Sequence, residues 1–83
     1  MLTEKFIYAI ITGALYESQL VVGVYASEVV AAAAASDLVE NMNAEGDDYK
    51  PAKSRGDEDV TRWESSTGAY YVEVVRWPLN TMF

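Results

Sequence analysis

The stretch Ser27 to Asn43, SEVVAAAAASDLVENMN, is the segment that most limits what this chain can become. It alone is long, strongly helix-forming and capped. Ser27 can accept a hydrogen bond from a backbone N–H of the first turn, Glu28 sets a negative charge against the positive end of the helix dipole, and Ala31 to Ala35 carry the highest intrinsic helix propensity. Val30, Ala31, Ala34, Ala35, Leu38 and Met42 recur at helical spacing and make one apolar stripe. A stripe of small residues lets the helix axis lie close to a flat layer of aliphatic side chains. The rest of the chain therefore has to supply a sheet.

Lys5 to Thr12 (KFIYAIIT) is β-branched and aromatic, too short for a stable helix, and reads as a strand. Gln19 to Tyr25 (QLVVGVY) reads as a second strand leading straight into the cap at Ser27. With Gly13 to Ser18 as the connecting loop, an antiparallel register sets Thr12 opposite Gln19, Tyr8 opposite Gly23 and Phe6 opposite Tyr25. Ile7, Ala9, Ile11, Leu20, Val22 and Val24 then face the helix, and Phe6, Tyr8, Ile10, Val21 and Tyr25 face away. Because side chains alternate, a slip of one residue would exchange the two sets.

Asn43 to Asp59 reads as a long loop, with six acidic residues (Glu45, Asp47, Asp48, Asp57, Glu58, Asp59) against Lys50, Lys53 and Arg55. Val60 to Glu64 and Ala69 to Trp77 follow as a hairpin around Ser65-Ser66-Thr67-Gly68. Tyr70, Val72, Val74 and Trp63 are expected on the helix side. Tyr71, Glu73, Val75 and Trp77 are expected on the other, with Arg62 near Tyr71 and within reach of the Glu73 carboxylate. The predicted fold is α+β: a single domain of ββαββ order, with one four-stranded antiparallel sheet and a single Ala-rich helix on one face.

With 83 residues, six basic and thirteen acidic, the net charge is −7, which repels nucleic acid phosphates and anionic membrane surfaces and favours a basic protein partner. The chain has no Cys and no His, so disulfides, thiolate or histidine metal sites and Ser-His or Cys-His catalysis are excluded within it. Asn41, Asn43, Glu45 and Gly46 match the early positions of a calcium-binding EF-hand loop, but Ala52 stands where the bidentate Glu is required. No phosphate-cradling glycine loop and no nucleophile elbow occurs, so neither an enzyme nor a cofactor is expected. Lys5 followed by Phe6 to Leu15 has the look of a secretion signal, but Glu4 before it and Glu17-Ser18-Gln19 after it argue for a cytoplasmic protein.

Two surfaces remain as candidates. The acidic set Glu40, Glu45, Asp47, Asp48, Asp57, Glu58 and Asp59 has carboxylates enough to occupy a basic nucleic-acid-binding groove in place of phosphates. The sheet face away from the helix, carrying Phe6, Tyr8, Tyr25, Tyr71, Val75 and Trp77, is an alternative interface for a homodimer or a small ligand.

Val22-Gly23-Val24-Tyr25, followed by Ser27 opening an Ala-rich helix, and Tyr71-Val72-Glu73-Val75 near the C-terminus resemble a group of short phage and prophage proteins. Those proteins have a second strand ending in Val-Gly-Val-aromatic, a helix and a terminal strand; the acidic segment from Asn43 to Asp59 departs from that pattern. In its size, acidity and lack of catalytic residues the chain also resembles phage-encoded inhibitors of bacterial defence, the anti-CRISPR proteins among them. That resemblance implies a cytoplasmic inhibitor seated on a basic nucleic-acid-binding surface of a host complex.

Overall fold

In the computed structural model, residues 6–14, 17–53 and 59–78 are described. The order along the chain is β1 (Phe6–Ala14), β2 (Leu20–Tyr25), α1 (Glu28–Ala44), β3 (Lys50–Ala52), β4 (Asp59–Glu64) and β5 (Tyr70–Pro78). All strand pairings are antiparallel, and the sheet order is β2-β1-β5-β4-β3. The α+β class stands, but the sheet has five strands and the chain order is ββαβββ. The four-stranded expectation missed β3, which lies inside the segment read as loop. Its three residues include Pro51, which has no N–H to give to a ladder and is tolerated only at a sheet edge. Lys50 sits there opposite Glu64, and Pro51 opposite Trp63.

The helix begins where its cap chemistry places it. Ser27 is extended, with φ −123° and ψ 132°, and its Oγ accepts from the Val30 N–H at 3.4 Å. At the other end the Asp47 N–H donates to the Met42 carbonyl and the Gly46 N–H to the Asn43 carbonyl, both at 3.1 Å. This is the paired bonding of a Schellman stop. Its residue beyond the cap needs positive φ, and Gly46 has φ 117°.

The buried line on α1 is Ala31, Ala35 and Val39, with Ala34, Leu38 and Met42 half-buried beside it. Val30, expected in the stripe, is 51% exposed. The alanines pack on Ile10, Val72 and Val74, with Tyr8, Tyr25, Tyr49, Val60 and Trp63 around them.

β1 presents the reverse of the faces predicted, as do Val24 and Tyr25 of β2, whereas Leu20 and Val21 keep theirs. Tyr8 pairs with Tyr25 and Ile10 with Gly23, whereas Ile11 pairs with Val21 and Thr12 with Leu20, so β2 carries one extra residue at a bulge. Tyr8, Ile10 and Tyr25 therefore lie under the helix. Ala9 and Ile11 lie on the far face, buried with Tyr71 and Val75 and flanked by Trp77. The hairpin β4–β5 has the expected faces, with a pairing two residues from the one a Ser65–Gly68 loop implies: Arg62 lies opposite Glu73 and Trp63 opposite Val72. Its turn closes through Ser65 N–H to Tyr70 carbonyl (2.9 Å) and Gly68 N–H to Ser65 carbonyl (2.8 Å).

Candidate functional site

The helix stop and the β4–β5 turn are brought together at one end of the molecule. After Gly46 the chain has to reverse toward β3, and Asn43 holds it there. The Asn43 side chain accepts from the Tyr49 N–H at 2.8 Å and donates to the Tyr49 carbonyl at 3.0 Å, so one amide satisfies both backbone groups of Tyr49. Asp48, one residue earlier, accepts from the Ser66 hydroxyl and from the Ser66 N–H. Those two donors, the hydroxyl foremost, hold the Asp48 carboxyl below its ordinary value, and Lys50 adds a smaller push in the same direction. Asp48 is thus kept ionised and is not poised to give up a proton as an acid catalyst would be.

Glu40, Glu45, Asp47 and Asp48 are all exposed. Glu45 is the helix C-cap, and the last helical turn contains no basic residue. These carboxylates add to the negative end of the helix dipole instead of being offset there. A cleft of about 470 Å³ opens beside them, lined by Gly46 to Tyr49, Ser65 to Thr67 and Tyr70. Burial, then the Asp47 charge, raises the Tyr49 phenol above its ordinary value. Of the expected acidic set, four residues are gathered here. Asp59 opens β4 opposite Val75, on another part of the sheet; Asp57 and Glu58 lie outside the described residues.

The aromatic set does not form one surface. Tyr8 and Tyr25 pack in the helix-side cluster, and Phe6 lies with the Arg76 guanidinium 4.7 Å from its ring centre. Tyr71 and Val75 are on the far face but are buried, and only Trp77 beside them is half-exposed. Tyr71 instead belongs to a packed polar layer. Its ring crosses Gly13, where a Cβ would come within 2.7 Å of the phenol oxygen, so glycine is what allows the ring to lie flat on β1. Gln19 Nε2 donates to that oxygen at 2.6 Å, and the Arg62 guanidinium sits 4.4 Å from the ring centre. Arg62 in turn donates to Glu73 at 2.5 Å, as their shared face predicted, and to Glu64 at 2.8 Å. Arg62 is 5% exposed. Its charge is therefore taken up inside the fold and does not offset the acidic end.

Sequence reasoning missed Ser66 as the partner of Asp48, and Tyr49 and Gly46 as residues of the cleft beside it. The Asn43-Ala-Glu-Gly46 run is a legible helix stop, but that Ser66 meets Asp48 depends on β3 pairing with β4, which Pro51 concealed. No known protein family, curated protein or solved structure matches the chain. Among the described residues, no helix is long and apolar enough to cross a membrane.

Proposed function

We propose that the protein is a non-catalytic binding protein that offers its acidic end to a basic, nucleic-acid-handling partner, in the manner of phage inhibitors of host defence complexes. The observation that carries this reading is the anchored placement of Asp47 and Asp48. The Asp48 carboxylate is tied to Ser66, the next residue Tyr49 is held by Asn43, and the Glu45 and Asp47 N–H groups close the helix end, so the backbone that carries these carboxylates has little freedom left to lose on binding. Glu40, one turn back on α1, extends the same charge. A basic groove that accepts phosphates would meet a preformed set of negative charges, with association steered over several ångströms and weakened by salt.

The test is displacement of labelled nucleic acid from purified RNA-guided defence complexes by the wild type and by a variant with Glu40→Lys, Glu45→Lys and Asp47→Lys. Asp48 is left intact so that the turn keeps its anchor, and circular dichroism checks the fold. The wild type is expected to release nucleic acid with an affinity that falls as salt rises, and the variant to lose at least tenfold, about 1.4 kcal/mol or more. Equal activity of a folded variant would exclude this end as the binding surface.

A further inference from the structure

The two edges of the sheet are built differently. The β3 edge is three residues long and carries Lys50 and Pro51, both of which discourage another strand from adding to it. The β2 edge is six residues, Leu-Val-Val-Gly-Val-Tyr, without a charge or a proline. Leu20, Val21, Val22 and Val24 on it are 63%, 47%, 46% and 53% exposed. The first helical turn, joined to β2 by Ala26 and Ser27 alone, adds Val29 and Val30 at 77% and 51%. Exposed aliphatic residues thus flank this edge on both faces of the sheet, which is unusual on a monomeric surface. The bulge in β2 bends this edge but leaves it uncharged.

We propose that β2 is the surface through which two copies of this chain pair, antiparallel about a two-fold axis near Val22, joining their sheets edge to edge. A second copy is the occupant that the charge distribution favours. At net −7 two copies repel each other unless they meet along an uncharged line, and β2 is such a line. Asp47 and Asp48 stand by the β4–β5 turn, on the order of 10–15 Å away across the sheet at ordinary strand spacing. With the axis at Val22, Glu17 of each copy falls opposite Ser27 of the other, beside Glu28, so like charges meet only at the two ends of the seam and not along it. A basic partner, by contrast, finds no carboxylate on β2 to pair with. Antiparallel self-pairing satisfies the free edge groups of both copies at once, and a shared two-fold is the commonest closed arrangement.

Sedimentation velocity from low micromolar to near-millimolar concentration tests this, on the wild type and on Val22→Lys and Val24→Lys, whose side chains are half-exposed and tolerate polarity in the monomer. The wild type is expected to sediment as two copies and each lysine variant as one. Amide exchange of the wild type supplies a second readout that needs no substitution: protection of β2 should rise with concentration. Raising salt should strengthen the dimer by screening the repulsion, the opposite sign to binding at the acidic end, so failure of one reading is distinguishable from failure of the other. A wild type that stays monomeric with concentration-independent β2 exchange, or a dimer unaffected by either lysine, would overturn the proposal.

Discussion

Arg62 has two carboxylates and an aromatic ring around its guanidinium, in a place that water scarcely reaches. Replacing it with Met removes the cation and leaves Glu64 and Glu73 to face each other across a desolvated layer. Urea unfolding of Arg62→Met is expected to register a loss of about 3 kcal/mol. The same measurement on Arg62→Met with Glu73→Leu should recover part of it, since removing both charges is far less harmful than removing one. Asp48 makes a prediction of different sign in pH. Its folded pKa lies below its ordinary 3.8 because Ser66 donates to the carboxylate. Its contribution is therefore present above the unfolded pKa and is lost as pH falls through the folded one. The difference in melting temperature between wild type and Asp48→Asn should be largest near neutrality and vanish in strong acid. Tyr49, raised mainly by burial, contributes in the reverse direction: its share holds below 10.0 and is lost as pH rises through its folded value.

At the scale of elements, the helix was legible because cap, propensity and stop agree. Ser27 caps it, the alanines propagate it, and Gly46 ends it at positive φ. Gly46→Ala should therefore cost about 1 kcal/mol, read by thermal melting, although the side chain would meet no neighbour. Ala35 lies fully buried on the sheet, and Ala35→Leu should cost about 1–3 kcal/mol by forcing the helix off it. The hairpin β4–β5 was legible in its faces: its last strand alternates, so Arg62 and Glu73 on one side and Trp63 under the helix follow from the pattern, although the pairing is two residues from the one the turn implied. β1 and β2 offered no such guide. Both are apolar at nearly every position, so alternation does not choose a face. Gly13 and Ala14, read as loop, continue β1, and the extra residue in β2 shifts the pairing so that Tyr25 shares the face of Tyr8 under the helix. β3 was hidden for the opposite reason, since a proline and a lysine mark loops more often than edges. The acidic cluster was visible as composition, whereas its anchoring by Ser66 and Asn43 required the strand that Pro51 disguised.

Across the whole molecule, the helix runs over the sheet and delivers its negative end, Glu45, Asp47 and Asp48 to the β4–β5 turn, while the cation nearest the middle of the sheet is enclosed by its own carboxylates. Charge is thereby sorted by position: an acidic end, a packed face opposite the helix, and an uncharged aliphatic edge. The central claim is that the acidic end is the part that meets a basic partner. It is tested most directly by amide chemical-shift mapping of the isotopically labelled protein during titration with a purified RNA-guided defence complex. The account predicts that shifts and line broadening concentrate at Glu40 to Tyr49 and at Ser66 and Thr67, and that they diminish as salt is raised. Perturbation centred on β2 or on the face around Tyr71 and Trp77, or a response indifferent to salt, would contradict it.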